Sequence, residues 1–375
     1  MKSLPLLIII SSLFISSNCS FQATLFNRMN KEKNGENLII SPLSIFQALS
    51  LAANGANGKT LSEMLDLLQT DSLDELNELN YKFISIFEQF STIDIANAVM
   101  TKFTPLENFT KIAKKYLAPI EPLESVEQVN QWCSEKTHGK IGHIIDELDP
   151  YVLMMILNAV YFKGEWRSKF KEYNTQKLPF YNLGTEEKQI DTMRQISYFN
   201  YYEDKKVQAI ELRFEEDYMS AIIILPSEGT DINKYINTLS ISNSEYNQII
   251  QGLKASKVDI QLPKFELDFK EMLNEILKDL GMYEAFSPGD ADFTAIRKEK
   301  DMYISRVIHK TYLKVFEDGC EAAAVTAIEG AGGAAPIQEE IYEMKVNRPF
   351  IFLLKNSQLP AGYDLVFMAK IELLE

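Results

Sequence analysis

The feature that most constrains this chain is a stretch of small residues near its C-terminal end. It reads Glu317-Asp318-Gly319-Cys320-Glu321-Ala322-Ala323-Ala324-Val325-Thr326-Ala327-Ile328-Glu329-Gly330-Ala331-Gly332-Gly333-Ala334-Ala335. A strand-like run, Met302 to Phe316, leads into it. Pro336 and a few acidic residues follow, and then a second apolar run, Val346 to Leu354. From Gly330 onward the glycines and alanines fit a flexible linker. The first half fits it less well. Every second residue from Cys320 (Cys320, Ala322, Ala324, Thr326, Ile328, Gly330) is small or apolar, and both charges, Glu321 and Glu329, fall on the alternate set. Period two is the pattern of a half-buried strand. Pattern alone leaves two readings, a linker and a loop that carries strand chemistry.

At 375 residues, 46% of them apolar, the chain is long enough for a substantial core in one large domain or two. The formal charge of −15 makes nucleic acid and anionic membrane poor partners. Met1 to Ser20 reads as a secretory signal: Lys2 at its start, an apolar core from Leu4 to Ile15, then small residues with the cut expected after Cys19 or Ser20. That core is too short to span a bilayer. Export is therefore expected, and removal of Lys2 leaves a mature charge of 37 − 53 = −16. A Cys133–Cys320 bridge is compatible with a secreted chain but would pin the small-residue stretch, so the expectation is a core held by packing.

Along the chain, Phe21 to Asn30 reads as an amphipathic helix and Asn37 to Ile40 as a short strand. Ser41-Pro42 then caps and opens a helix that Gly55 ends. Thr60 with Glu63 suggests a capping box for the next one. Ile93 to Phe103 reads as a strand, Pro105 to Leu117 and Glu127 to Gly139 as helices, and Val152 to Phe162 as a central strand. Met219 to Leu225, Val258 to Leu262 and Val346 to Leu354 are further strands, and Phe269 to Leu280 a helix. Helices and strands mix without regular alternation or repeat, which points to a single α+β domain over residues 21–375.

Catalytic motifs are missing. Asn54-Gly55-Ala56-Asn57-Gly58-Lys59-Thr60 mimics a phosphate loop, but its glycines are too close and a helix precedes it. There is no G-x-S-x-G and no H-E-x-x-H. His138 and His143 have no third ligand in view, so neither a metal nor a cofactor is expected. Asn108-Phe109-Thr110 is a glycosylation sequon. Lys111, Lys114 and Lys115 could touch a sulfated polysaccharide, but in so acidic a chain a solvated helix face is the favoured reading.

Several segments resemble the serpin family of serine-protease inhibitors, and in the family's order, from about Phe21 to Glu375. They are Asn37-Leu38-Ile39-Ile40-Ser41-Pro42-Leu43-Ser44-Ile45, Leu157-Asn158-Ala159-Val160-Tyr161-Phe162-Lys163-Gly164-Glu165-Trp166, Leu262-Pro263-Lys264-Phe265 and Val346-Asn347-Arg348-Pro349-Phe350. Ile308-His309-Lys310 precedes Gly319 at the family's distance. Phe367-Met368-Ala369-Lys370-Ile371 also fits, with Ala369 where the family usually has Gly. The resemblance implies an α+β fold of three β-sheets, a large central one among them, and about nine helices. It also implies a monomer that is an inhibitor, not an enzyme.

It further identifies residues of about 319–345 as a reactive-centre loop. In the family a protease attacks this loop as substrate, forms a covalent acyl complex, and is trapped when the cut loop inserts into the central sheet. Cys320 to Gly333 spans fourteen residues, roughly 46 Å as a strand. The hinge would comprise Glu317, Gly319, Cys320, Ala322, Ala324 and Thr326. Insertion would turn Cys320, Ala322, Ala324, Thr326 and Ile328 inward, where a charge or a proline would be costly; there is none before Pro336. Cys320 stands where the family usually has Thr or Ser. Ser41, Ser44, Asn158 and His309 match a polar cluster under the sheet, the shutter. Trp166, Lys264 and Glu317 match the breach, where insertion starts. The count places the scissile bond at Gly333-Ala334, with Ala334-Ala335 as the alternative. No Lys or Arg occurs between Gly319 and Met344. A trypsin-like target is thus disfavoured and an elastase-like one suits better, with a cysteine protease, or a non-inhibitory carrier, storage or chaperone role, as alternatives.

Overall fold

The computed structural model describes residues 20–88, 93–140, 142–241, 243–320 and 340–375. Among them are nine α-helices: α1 Phe21–Glu32, α2 Pro42–Ala53, α3 Gly58–Leu68, α4 Leu73–Phe87, α5 Glu107–Lys115, α6 Val126–Lys136, α7 Ile232–Ile241, α8 Asn243–Gly252 and α9 Asn274–Asp279. The first strands are β1 Leu38–Ile40, β2 Ile93–Thr101, β3 Ile120–Pro122, β4 Met154–Phe162 and β5 Gly164–Glu165. Then come β6 Gln176–Asn182, β7 Glu186–Glu203, β8 Val207–Arg213, β9 Met219–Pro226, β10 Lys254–Pro263 and β11 Phe265–Met272. The last are β12 Val307–Val315, β13 Gly319–Cys320, β14 Tyr342–Lys345, β15 Phe350–Asn356 and β16 Leu365–Ile371.

The fold is α+β with three sheets. The central sheet has five strands in the order β11-β12-β4-β2-β3. Its middle pair is parallel: β12 lies against β4 from Val307 opposite Ile156 to Tyr312 opposite Tyr161. A second sheet runs β1-β16-β15-β9-β8-β7-β10-β14, with β6 also on β7. The 18-residue β7 joins three ladders in it, pairing β6 along Glu186 to Thr192, β10 along Thr192 to Tyr201 and β8 along Asn200 to Glu203. The third sheet is the two-residue pair of β13 and β5.

The core follows from the apolar patterning. Every residue of α2 is buried, because this helix lies between β4 and β2 on one side and β16 on the other. Five of its side chains (Leu43, Ile45, Phe46, Leu49, Leu51) are at most 1% exposed, each worth roughly 1.5–3 kcal/mol as an upper bound. The main cluster runs from Phe21 to Leu374. A smaller one sits where α6 covers the other face of the central sheet, with Trp132 and Cys133 near Leu157, Ile308 and Tyr312. The two clusters follow the strand period: Ile156 and Val160 of β4 join the first, Met155 and Leu157 the second.

Several expectations need correction. The helix expected over Phe269 to Leu280 begins as strand β11, and only Asn274–Asp279 is helical. Phe269, Leu273, Ile276 and Leu277 mimic helical spacing. Full antiparallel pairing with β12, from Phe265–Val315 to Met272–Ile308, overrides it. The Thr60–Glu63 capping box does not form. The helix starts at Gly58, and Thr60 is buried inside it, accepting from Asp292 N and donating to Glu284 Oε2. Glu63 instead accepts from the backbone N–H groups of Tyr283 and Glu284. Ser41 occupies the N-cap of α2, with Pro42 first in the helix, but its side chain makes no cap bond. The run from Val346 becomes strand only at Phe350, after Pro349, and the run from Met302 only at Val307. Residues 1–19, the bulk of the expected signal, lie outside the described residues.

Candidate functional site

The segment between β5 and the hinge is built on two glycines. The chain leaves β12, turns at Phe316 to Gly319, and comes back antiparallel to β5, Gly319 facing Glu165 and Cys320 facing Gly164. Gly319 has φ +150°, and a Cβ there would lie 2.0 Å from the Gly164 carbonyl oxygen. No other residue fits so close a backbone approach. Gly164 is needed for a different reason: its Cβ would enter the Phe162 and Phe214 rings at 2.6 and 2.8 Å. Cys320 is wholly buried, which pushes its thiol well above the ordinary range.

Trp166 locks this turn from one side. Its indole stacks on Phe214 at 4.4 Å, and its Nε1–H donates to the Phe316 carbonyl at 3.0 Å. Its backbone N–H bonds the Asp318 carbonyl, and Phe170 N–H bonds that of Glu317. From the other side, Glu317 Oε2 meets Lys264 Nζ at 2.9 Å, and Oε1 accepts from Thr175 Oγ1 at 2.6 Å. Burial works against the Glu317 charge, but the bonds from Thr175 and Lys264 outweigh it and hold the carboxyl below the usual range. The structure thus brings Trp166, Lys264 and Glu317 together around the hinge. Thr175 was missed from sequence, since it arrives from a separate segment with no spacing signal.

Under the middle of the central sheet, the other four named residues form one hydrogen-bonded cluster. Ser41 N–H donates to His309 Nε2 at 3.1 Å. That nitrogen is therefore unprotonated, and the Nδ1–H donates to Asn158 Oδ1 at 2.8 Å. Ser44 Oγ lies 2.8 Å from the same oxygen and 3.0 Å from the Ser41 carbonyl. Complete burial holds the imidazole neutral, its pKa down to about 3. Asn158 Nδ2 passes the chain on to Asn97 Oδ1 at 2.8 Å. Asn97 was also missed, although an asparagine on the apolar row of a buried strand is a usable signal.

The remaining sites divide. Ala322, Ala324, Thr326, Gly333, Ala334 and Ala335 lie outside the described residues. Cys133 and Cys320 are free thiols on different faces of the central sheet, so the bridge that their count permits is not made. Asn108 is exposed in the first turn of α5. On the same helix Lys111 pairs with Glu107 at 2.7 Å, and Lys115 covers the Tyr81 ring. His143 is held by Asp146 and Asn130 at the surface.

The sequence profile of the family described as "Serpin (serine protease inhibitor)" matches residues 16–371. The chain belongs to the serpin family. The family is one of protease inhibitors and not of enzymes, and this chain is no enzyme. This serpin is 32% identical over 344 residues to Intracellular coagulation inhibitor 2 of Tachypleus tridentatus, covering 86% of this chain and 83% of that one. It is 30% identical over 368 residues to the Leukocyte elastase inhibitor of Xenopus laevis, covering 92% and 96%. The crystal structure of the thermophilic serpin Tengpin in the native state superposes with a TM-score of 0.85 at 30% identity, covering 97% of this chain and 95% of that one.

Proposed function

We propose that this serpin is a secreted suicide inhibitor of an elastase-like serine protease, cut at Gly333-Ala334 and trapping the acylated enzyme by inserting residues 320–333 between β4 and β12. The observation that carries the reading is the register of the hinge. Gly319 and Cys320 are already antiparallel to Glu165 and Gly164. Continued along β4 after insertion, that register would set Ala322 against Phe162, Ala324 against Val160, Thr326 against Asn158 and Ile328 against Ile156. Directly opposed residues share a face. Those β4 residues face the main core or the polar cluster under the sheet, so the small, uncharged set of the loop is the one that would turn inward. The shutter would resist opening at its middle, and the breach at the entry.

Support for the target comes from the lack of Lys and Arg between Gly319 and Met344 and from the name of the elastase inhibitor among the relatives. Export is supported by the apolar leader. The cut after Cys19 is favoured, because Ser20 Oγ accepts from Ala23 N at 3.4 Å as N-cap of α1. Asn108, exposed on α5, is the proposed glycan site.

The test is to mix the mature protein with pancreatic elastase, denature it, and look for a band of the combined mass. Intact and loop-cut protein are melted side by side. Adduct plus a large rise in melting temperature is the expected result. Cutting without a rise would hand the reading to a non-inhibitory serpin. Ala324→Arg puts a charge on the inward face and should convert inhibitor to substrate. Undiminished trapping by that variant would refute the register.

A further inference from the structure

Asparagine is followed by glycine three times in the chain, at Asn34-Gly35, Asn54-Gly55 and Asn57-Gly58. In such a pair the glycine nitrogen can attack the asparagine side-chain carbon, because no Cβ blocks the approach. The fold treats the three pairs differently. Asn54 is buried, its Nδ2 donates to the Ser50 carbonyl at 2.9 Å, and the Gly55 N–H is spent on the Ala52 carbonyl at 2.8 Å. Asn57 is exposed but pinned. Its N–H bonds the Asp292 carbonyl at 2.8 Å, its own carbonyl accepts from Leu61, and its Nδ2 donates to Thr294 Oγ1 at 2.9 Å. No carboxylate accepts from the Gly58 N–H among the described residues. Asn34 stands in another setting. It is exposed in the turn from Lys33 to Glu36 that joins α1 to β1, with Gly35 at φ +78°. The Gly35 N–H donates to Glu372 Oε1 at 3.2 Å, and Asn34 Oδ1 accepts from Asn233 Nδ2 at 2.8 Å. Both partners are fixed by one fully buried lysine. Lys370 Nζ lies 2.5 Å from Glu372 Oε1 and donates to Asn233 Oδ1 at 2.7 Å. The turn therefore meets a proton acceptor at its nucleophile and a donor at its carbonyl, brought from the end of β16 and from α7.

We propose that Asn34 is a self-modifying site, deamidated by its own turn with Glu372 as base and Asn233 as the donor to the reacting carbonyl. Glu372 takes the proton of the Gly35 amide, and the Gly35 nitrogen forms a bond to Asn34 Cγ. Negative charge gathers on Oδ1, where the Asn233 N–H is already aimed. The Cγ–Nδ2 bond then breaks. The nitrogen leaves as ammonia with the proton that Glu372 held, and a cyclic imide remains. Water opens the ring to aspartate or isoaspartate. The sum is an asparagine and a water giving an acid and ammonia; nothing is oxidised or reduced, and Glu372 returns to its carboxylate. Each conversion sets a second carboxylate against Asn233 and Glu372. The isoaspartyl product also adds a backbone atom to the turn, so the folded molecule carries a mark of its age.

The experiment incubates the folded protein beside a peptide of residues 28–41 at neutral pH and follows the mass gain of amide-to-acid conversion by peptide mapping. Restraint by a fold slows this reaction, and Asn54 and Asn57 should show that slowing against peptides of their own. Asn34 should do the opposite and convert at least about tenfold faster in the protein than in its peptide. Glu372→Gln and Asn233→Ala should each remove most of that margin. The Asn57 rate serves as the internal reference: unchanged, it shows that a variant is folded, since unfolding would raise it to the peptide rate. Asn233→Ala leaves the Lys370–Glu372 pair in place, so it keeps the test decisive where Glu372→Gln fails to fold. An Asn34 that converts no faster in the protein than in the peptide overturns the proposal. So does a folded variant that converts as fast as the parent or faster, because Glu372 or Asn233 would then be a restraint and not a participant.

Discussion

The shutter and the breach, which in the proposed mechanism hold the central sheet closed, are built with opposite chemistry. The shutter is neutral and fully desolvated: His309, Asn158, Ser41 and Ser44 are at most 3% exposed and share short hydrogen bonds. The breach is ionic and half open: Glu317 is nearly buried, while the Lys264 side chain is 37% exposed. The difference teaches where resistance and responsiveness lie. A neutral buried network is insensitive to salt and costly to break at any point, because each lost partner leaves another buried group unsatisfied. An ion pair at the surface end can be loosened by solvent and screened. In the proposed mechanism, insertion starting at the Trp166 end would meet the softer lock first.

Three changes would break or sharpen this contrast. The largest effect is expected from Asn158→Ala, which strands His309 Nδ1 and Asn97 Oδ1 and leaves Ser44 Oγ with the Ser41 carbonyl alone. At about 1–3 kcal/mol for each unsatisfied group, the intact form should melt far lower and convert faster to a loop-inserted state. A melt within a degree or two of the parent's would mean that the cluster is dispensable.

At the breach, Lys264→Ala should destabilise more than Glu317→Ala. The first leaves a nearly buried carboxylate with Thr175 as its side-chain partner. The second frees a lysine that can turn to water. About 1–2 kcal/mol is expected for the first and under about 1 kcal/mol for the second, read as melting temperatures in low and high salt. The reverse order would show that Thr175, and not Lys264, carries the site.

A third effect is in pH. His309 stays neutral in the folded protein down to about pH 3, whereas an unfolded histidine titrates near about 6.5. Below that value the unfolded chain takes up a proton that the folded one refuses. Its contribution is therefore full above about pH 6.5 and is lost as pH falls toward about 3. Glu317 is likewise depressed, so its contribution is present above the ordinary Glu value and lost only as pH falls through its lower folded pKa. The upper part of the acid slope thus belongs to the shutter, and His309→Gln should flatten it. A slope unchanged by that variant would place the proton uptake elsewhere.

Much of this was legible in the chain. The long apolar run from Val152 to Phe162 marks a central strand, and Ile45, Phe46, Leu49 and Ala52 mark the helix that Ser41-Pro42 opens. Period two over Cys320 to Ile328 is equally plain in the sequence, but the residues after Cys320 lie outside the described ones. What misled was local pattern where tertiary pairing decides, as in β11, where helical spacing lost to the β12 ladder, and at Thr60, where capping chemistry serves Asp292 and Glu284 instead. Thr175 and Asn97 were invisible as partners, because hydrogen bonds across large sequence separations leave no spacing to read.

The sequence by itself determined the fold class and the alternation of small and charged residues in the loop, since these depend on residue type and period. Only the tertiary structure decided that His309 is the neutral Nδ1–H tautomer, that Glu317 answers to both Lys264 and Thr175, and that Gly319 and Cys320 are already paired against β5. Each depends on which distant groups meet inside a water-excluded space, and that is fixed by packing.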